Sequence, residues 1–168
     1  MGDTGQAVDD AATPWLDDDE QQAWRAFSSV VARLEPALDS QLRRDHDLRH
    51  FDYAVLALLS EQEDRTLRLS ALADGADGSL SRLSQVVTRL ERLGLVARVP
   101  DPDDGRATRA SLTDAGLARV VDAAPSHVRE VRRLVVDRLT RTQLRQLAAI
   151  SERLSEALDD DPGCAGGP

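Results

Sequence analysis

One segment near the middle of the chain, residues 90–116, constrains the fold more than any other. It reads LERLGLVARVPDPDDGRATRASLTDAG. Glycine is common just past the last turn of a helix, so Gly94 is expected to end one. Two short runs suited to strands follow, separated by an Asp-Asp-Gly turn at 103–105 that favours a tight reversal. Thr113 is then placed to cap a new helix. The segment therefore predicts a helix, a hairpin and a second helix in close succession.

The helix predicted before the hairpin, Ser79–Leu93, is amphipathic. Its inner face is expected to consist of the apolar residues that recur at helical spacing, Leu80, Leu83, Val86, Val87, Leu90 and Leu93. A short helix, Ser70–Asp74, with Ser70 as its N-cap, comes before it and is followed by a glycine-bearing turn. Short helix, turn and longer helix form the helix-turn-helix pattern. With the hairpin behind it, the sequence predicts a mainly α fold with a small β-hairpin wing, a winged helix-turn-helix.

The polar face of the Ser79–Leu93 helix carries residue types that read DNA. Arg82, Gln85 and Arg89 are spaced at i, i+3 and i+7, which places them on one face. Arginine can bond guanine through two hydrogen bonds, and glutamine can do the same with adenine. The predicted DNA-binding residues are Ser79, Ser81, Arg82, Ser84, Gln85, Thr88 and Arg89 in the helix, with Asp104, Arg106 and Arg109 in the hairpin. The alternative is an ordinary solvated helix face. The hairpin that follows this helix in the correct register favours the DNA-binding interpretation.

Long helices with apolar stripes are predicted at both ends of the chain. In the first, the stripe is Trp24, Phe27, Val31, Leu34 and Leu38, and Pro36 is expected to kink or restart the helix. The last helix is expected to begin at Thr140, in a capping box completed by Gln143, and its stripe is Leu144, Leu147, Ile150, Leu154 and Leu158. One chain has little material to cover these stripes, so a two-fold homodimer is predicted.

Three further elements are expected between the end helices. A strongly apolar helix at about 51–61 should be buried on most sides. The run at 67–69 is expected to be extended. The helix capped by Thr113 is expected to run toward Leu139, with a kink or a break at Pro125.

The net charge of −9 resides in the tails rather than in the reading module. Residues 1–20 hold seven acids and residues 156–168 hold four, with no arginine in either, so the stretch between them has 19 acids against 21 arginines. We expect disordered acidic tails at 1–14 and 159–168 around a single domain at 15–158. A near-neutral middle with an arginine-bearing face is compatible with DNA binding.

Other classes of protein find little support in the sequence. Cys164 is the only cysteine, which excludes an internal disulfide and a multi-cysteine zinc site and fits a reducing compartment. Neither a signal peptide nor a membrane-spanning run is visible, so a cytoplasmic location is expected. His46 and His50 are four residues apart and could hold a metal, but a polar junction is the simpler interpretation. Because no catalytic constellation is present, we expect no enzyme, no cofactor and no metal.

The hairpin region also carries a family resemblance. Asp104, Arg106, Leu112, Thr113 and Gly116 match the pattern Asp-x-Arg followed by Leu-Thr-x-x-Gly. The helix end LERLGLV fits the same pattern, in the correct register. From about residue 24 to residue 158 the chain thereby resembles the MarR family of bacterial transcriptional regulators.

The resemblance implies an obligate homodimer in which helices at about 17–46 and 114–158 interlock beside a winged helix-turn-helix at about 51–113. It implies a repressor that binds a pseudo-palindromic operator in double-stranded DNA and is controlled by a small-molecule effector or by redox chemistry. In the family the wing arginine, here Arg106, enters the minor groove, and Asp104 would orient it. Gly105 and Ala110 depart from the usual pattern, which would soften the wing.

An effector site is implied between the winged module and the dimerisation helices. The candidate lining residues are Trp24, Phe27, His50, Phe51 and Tyr53, unless these are simply part of the core. The alternative function is a winged-helix module that uses the same face to bind another protein, without specific DNA binding.

Overall fold

A computed structural model describes residues 13–104 and 107–159. The described chain is mainly helical with one small sheet, which confirms the predicted fold class. The elements in chain order are α1 (Asp18–His46), α2 (His50–Ser60), β1 (Thr66–Arg68), α3 (Leu69–Gly75), α4 (Leu80–Arg92), β2 (Val96–Pro100), β3 (Thr108–Leu112), α5 (Asp114–Leu134), a 3-10 turn (Val136–Arg138) and α6 (Arg141–Asp159). The described residues form two compact units that divide between Leu34 and Glu35. The predictions made for Gly105, Arg106 and Cys164 fall outside the described residues.

The core of the second unit lies where α2, α3 and α4 pack with the sheet. Its fully buried side chains include Val55, Leu56 and Leu59 of α2, Leu72 of α3, and Leu83, Val87 and Leu90 of α4. Each such side chain removed from water contributes roughly 1.5–3 kcal/mol to stability. The five buried residues of α2 confirm that this helix is covered on most sides.

Helix α4 buries most, but not all, of its predicted inner face. Its middle turns place Leu83, Val86, Val87 and Leu90 in the core. Leu80 and Leu93 were predicted to join them and are 54% and 61% exposed, so that part of the prediction is wrong. Both lie at the ends of the helix, beyond the turns that the core covers.

Side-chain caps mark the starts of α4, α5 and α6. The Ser79 and Thr113 side chains accept hydrogen bonds from the backbone N–H three residues on, as predicted. Thr140 and Gln143 form the predicted capping box, with reciprocal bonds of 2.9 and 3.3 Å. Ser70 is not the cap of α3, because that helix already begins at Leu69 after the extended residue Arg68.

Two prolines lie inside continuous helices. Pro36 was expected to kink or restart the first helix and Pro125 to kink or split a later one. The structure rules out the restart and the split, because α1 and α5 each run through their proline as one helix. A proline removes one backbone hydrogen bond, and burial of the neighbouring turns offsets that loss. Leu38 and Leu42 are buried just after Pro36. The later helix ends at Leu134 rather than near Leu139, because the 3-10 turn intervenes.

The sheet has three antiparallel strands in the order β1-β3-β2. The hairpin of β2 and β3 is the predicted wing, with Val96 opposite Leu112 and Pro100 opposite Thr108. The extended run near 67–69 is confirmed as β1, although its pairing with β3 was not predicted. This pairing attaches the wing directly to the strand that leads into α3.

Two glycines fix the junction between α4, the sheet and α5. Gly94 has φ +70°, the left-handed conformation that ends α4. Gly116 lies in the first turn of α5, where a Cβ would stand 2.1 Å from the Leu95 carbonyl oxygen. The Leu-Thr-x-x-Gly pattern therefore has a packing reason, since α5 begins in contact with the chain that enters β2.

Most residues of the apolar stripes on the end helices are exposed in the single chain, whereas Leu38 is buried and Leu34 and Leu144 are half-buried. In the first unit Trp24, Phe27 and Val31 are 59%, 48% and 57% exposed. In the second unit α6 buries none of its residues, and Leu147, Ile150, Leu154 and Leu158 are all exposed. None of the described helices is long and apolar enough to cross a membrane.

Candidate nucleic-acid interface

The N-terminus of α4 is open and capped. Ser79 Oγ accepts from the Arg82 N–H at 3.2 Å, and Ser79, Leu80 and Ser81 are exposed. The remaining first-turn N–H groups point along the helix axis, where the positive end of the helix dipole favours a phosphate. The structure thus presents the start of this helix to a ligand from solvent.

The predicted reading face of α4 divides into exposed and engaged residues. Ser81, Arg82 and Gln85 are exposed. Ser84 and Thr88 are half-buried, and Thr88 Oγ1 donates to the Ser84 carbonyl at 2.9 Å. The free part of the face is therefore its N-terminal half.

Arg98, from β2, occupies the space beside the C-terminal half of this face. Its guanidinium donates to Thr88 Oγ1 at 2.9 Å, to the Ser84 carbonyl at 3.1 Å and to Glu91 at 2.6 Å. These bonds tie the first strand of the wing to the helix that it follows.

Arg89 is engaged within the chain. Its guanidinium forms a two-point ion pair with the carboxylate of Asp52, which is only 4% exposed. A buried carboxylate needs such a partner because an unpaired charge in the interior is costly. The pair links α4 to α2, so a positioning role accounts for Arg89 without any contact to a base.

Arg82 has a looser arrangement. Its guanidinium lies 4.0 Å from the centroid of the Phe51 ring and 3.8 Å from Glu35. It borders a cleft of about 520 Å³ that α4 shares with α2 and the later turns of α1, where Asp39, Arg43 and Arg49 also lie. Because its side chain is about half exposed, Arg82 can leave these contacts for a ligand.

The base of the wing is organised by Asp101, a residue that sequence reasoning missed. Its carboxylate is almost fully buried and accepts two bonds from Arg68, at 2.6 and 2.9 Å. The same carboxylate accepts the backbone N–H groups of Asp103 and Asp104. These donors, Arg68 first, hold the pKa of the Asp101 carboxyl below its usual value.

The remaining predicted wing residues have different surroundings. Arg109 pairs with Asp64 at 3.1 Å and donates to the Thr66 carbonyl, so it is held against β1. The Asp104 backbone bonds Asp101 through its N–H and Ala107 through its carbonyl. The interaction predicted between Asp104 and Arg106 lies outside the described residues.

The candidate effector residues fall into separate groups. In the first unit the Trp24 and Phe27 rings lie 6.4 Å apart, centroid to centroid. In the second unit His50 and Tyr53 both contact the ring of His127, at 5.5 and 4.6 Å. Phe51 belongs to the core and meets Arg82 instead.

The histidine group is largely withdrawn from water. Burial lowers the pKa of both His50 and His127, and the mutual repulsion of the two rings adds to the shift of His127. The Nδ1 atom of His127 is buried, and no hydrogen-bond partner for it lies within the described residues. This atom could accept or donate one hydrogen bond to a ligand.

His46 and His50 have different partners rather than a shared metal site. His46 bonds Asp122 at 3.0 Å and Ser126 at 2.7 Å, whereas His50 stacks against His127. Among the described residues no group of three or more metal-ligating side chains comes together.

The ion pairs of the site were largely invisible in the sequence. Asp52 gave a signal, since it is the one acid in an otherwise apolar run, FDYAVLALL, in a helix expected to be buried. Asp101 gave none, because acids are common at the ends of hairpins. Its role depends on β1, whose place in the sheet the sequence did not indicate.

Comparison with known proteins points to one family. A sequence model of the MarR family matches residues 47–107. The HTH-type transcriptional regulator MhqR of Bacillus subtilis is 30% identical over 109 residues, which are 63% of this chain and 74% of MhqR. The crystal structure of Sco3205, a MarR family transcriptional regulator from Streptomyces coelicolor, in complex with DNA, is similar with a TM-score of 0.86 and 39% identity, over 91% of this chain and 95% of that one. CouR from Rhodococcus jostii RHA1, bound to p-coumaroyl-CoA, is 25% identical with a TM-score of 0.70, over 84% and 95%.

Proposed function

The chain belongs to the MarR family of winged helix-turn-helix regulators, and on that premise we propose that it represses genes from an inverted-repeat operator until a small molecule releases it. As a member of this family it is a DNA-binding transcriptional regulator and not an enzyme. We place its action in the cytoplasm, on double-stranded DNA.

The open N-terminus of α4 is the observation that carries this proposal. A capped helix start with exposed Ser81, Arg82 and Gln85 offers a phosphate site and two side chains that can discriminate bases. The wing follows within a few residues and is fixed to the same module by Arg98. Similarity to Sco3205, whose crystal structure contains DNA, supports the same face as the contact surface.

The exposed stripes support a homodimer. Trp24, Phe27 and Val31 on α1 and Ile150 and Leu154 on α6 leave large apolar side chains in water. Apolar patches of this kind mark interaction surfaces. A second copy of the chain would cover both stripes in a two-fold interface and present two α4 helices to one duplex.

We place the effector beside the histidine group. His127 carries a buried nitrogen without a partner in the described chain, and the rings of His50 and Tyr53 flank it. Phe51, Trp24 and Phe27 stay as further candidates from the sequence. The CouR complex with p-coumaroyl-CoA supports a search that begins with small aromatic acids and their thioesters.

Selection of binding sites from random duplexes tests the proposal. The expected product is an inverted repeat whose half-sites lie about one helical turn apart. Addition of a small aromatic acid that binds should then lower affinity for the selected duplex. The rival function is a protein-interaction module. It predicts that no DNA sequence is enriched and that Gln85→Ala binds duplex DNA as weakly as wild type does.

A further inference from the structure

One ion pair joins the wing to the helix-turn-helix. Arg68 is the last residue of β1, and Asp101 comes directly after the last residue of β2. Since β3 lies between these two strands, the pair spans the sheet from one outer strand to the other. Arg68 is also the residue that precedes α3, so the same side chain is fixed to the first helix of the reading module.

The Asp101 carboxylate also closes the loop that carries the wing tip. It accepts the N–H groups of Asp103 and Asp104 at 3.0 and 3.2 Å, while the Asp101 N–H donates to the Ala107 carbonyl at 3.2 Å. The Ala107 N–H donates in turn to the Asp104 carbonyl at 2.9 Å. Both feet of the loop are therefore tied to Asp101, one through its buried carboxylate and the other through its backbone N–H.

We infer that Arg68 and Asp101 are positioning residues for the DNA contact of the wing, which they hold in a fixed orientation relative to α3 and α4. Two parallel bonds between guanidinium and carboxylate fix direction as well as distance. A wing held in this way loses little conformational entropy when it enters a DNA groove. A loose wing would have to be ordered on binding, and that cost would lower its affinity for DNA. The inference rests on the proposed function, since it specifies how the DNA-binding module holds its wing.

The readout must distinguish positioning from stability alone. A wing in the minor groove responds to the width of that groove, and the groove is narrow in A/T-rich flanks. Helix α4 instead contacts bases in the central half-sites. Two duplexes with the same selected core and either A/T-rich or G/C-rich flanks separate these contributions. A variant that is merely destabilised weakens binding to both duplexes equally.

The principal variant is Asp101→Ala, and Asp114→Ala is its matched control. Each removes one negative charge and one ion pair from the same region, but the Asp114 carboxylate, which pairs with Arg65, is 99% exposed and bonds no wing residue in the described chain. In Asp101→Ala the preference for A/T-rich flanks should fall by roughly fivefold, toward that of Arg106→Ala, with core selectivity unchanged. Asp114→Ala should keep the wild-type preference.

Arg68 provides a second series that disturbs the buried carboxylate less directly. Its side chain is about half exposed, and the Asp101 carboxylate keeps the two backbone N–H donors of Asp103 and Asp104 when Arg68 is replaced. Flank preference should decrease from wild type to Arg68→Lys, which keeps the charge but not the paired geometry, and further to Arg68→Gln. Amide exchange at Asp103 and Asp104 should accelerate in Asp101→Ala and not in Asp114→Ala, with no DNA present.

The results separate the two ideas. If wild type binds the selected core and Asp101→Ala shows the same flank preference as wild type, the inference is overturned and the regulator function stands. Unchanged amide exchange at Asp103 and Asp104 in Asp101→Ala would have the same meaning. A wild-type protein that binds no duplex would overturn the function, and the inference with it.

Discussion

At the scale of single residues, the polar side chains on one face of α4 divide into those that are free to contact DNA and those that hold the helix. Gln85 and Arg82 face solvent, whereas Arg89 neutralises the buried carboxylate of Asp52. Helical spacing places all three on one side, but it does not indicate which of them meets an acid from another element. The arrangement indicates that Arg82 and Arg89 have different roles, although they lie on one face of the helix.

Arg89→Ala should therefore destabilise the fold, whereas Gln85→Ala should not. The first leaves the Asp52 carboxylate buried without its partner, at a cost of about 2 kcal/mol. The second should leave stability unchanged and relax base preference by about 1–3 kcal/mol at one position per half-site. Urea unfolding and binding-site selection measure the two effects.

A double variant, Asp52→Leu with Arg89→Met, provides the control for this comparison. Replacement of both charges by apolar groups removes the unpaired carboxylate, so stability should recover toward wild type. Equal stability of Arg89→Ala and wild type would contradict the holding role.

The sequence indicates residue roles where they depend on the local chain, and not where they depend on a distant partner. The caps Ser79, Thr113 and Thr140 were predictable because donor and acceptor are three residues apart. The partners Arg68 and Asp101 are separated by 33 residues, and their meeting depends on strand order. The same limit applies to Asp52 and Arg89.

At the scale of elements, the start of α5 against β2 and the contact of α2 with α5 are the two junctions that shape the module. Gly116 permits the first, and the histidine group lies at the second. The predicted order of helices and hairpin was correct, but α1 and α5 neither restart nor split at Pro36 and Pro125, where packing maintains one helix.

Gly116→Ala should cost far more stability than Gly94→Ala. A Cβ at Gly116 would stand 2.1 Å from the Leu95 carbonyl oxygen and 2.6 Å from a methyl carbon of Leu112, so the cost should be about 3 kcal/mol. At Gly94, φ is +70° but no atom lies within 4 Å, so only backbone strain of about 1 kcal/mol is expected. Denaturant unfolding of the two variants measures the difference, and equal losses would contradict the close contact.

The histidine group should make stability depend on pH. Burial lowers the pKa of His50 and His127 in the folded chain, so on acidification the unfolded chain binds protons first. Stability should be fully present above pH 6.5, the ordinary histidine pKa, and should decrease as the pH falls below it toward the folded values. The charges of Glu35 and Asp39 raise the pKa of His50 and partly offset the effect of burial. They therefore narrow the pH range over which stability is lost.

Melting temperatures of wild type and a His50→Gln, His127→Phe variant, measured between pH 8 and pH 5, test this dependence. The variant should show a flatter profile below pH 6.5, where the two buried rings of the wild type begin to cost stability. His46 is present in both proteins and does not enter the comparison. Parallel profiles for the two proteins would contradict the role assigned to the buried rings.

At the scale of the whole molecule, the apolar stripes and the acidic tails matter more than any single contact. The stripes on α1 and α6 were predictable, because apolar spacing alone identifies them. The surface that covers these stripes was not predictable, since a sequence indicates which residues are apolar and not which surface packs against them.

Leu154→Arg should dissociate the proposed homodimer. It introduces a charge on the stripe of α6, where burial without a partner would cost several kcal/mol. Ala149→Arg adds the same charge on the opposite face of α6 and should leave the dimer intact. Analytical ultracentrifugation distinguishes the two, and a wild-type chain that stays monomeric at micromolar concentration would contradict the dimer.

DNA binding should depend steeply on salt, because each neutralised phosphate releases a counterion. The chain carries −9 overall, with acids concentrated near its ends. Deletion of residues 1–14 removes three aspartates and should raise affinity for unrelated DNA slightly, at low salt more than at high salt. Fluorescence anisotropy at a series of salt concentrations measures both effects, and a flat response would contradict a phosphate-dominated contact.

The central position of β3 also sets the order in which the chain can fold. β3 meets β2 across a short loop, but Thr66 on β1 and its partner Ser111 on β3 are 45 residues apart, with α3 and α4 between them. Contacts of long sequence separation form late, after the intervening chain has been ordered. The β2–β3 hairpin can therefore nucleate early, whereas its attachment to β1 must wait for the two helices. The docked wing is therefore the last part of the DNA-binding module to be completed, and a chain that stops short of that step has its reading helix but no fixed wing.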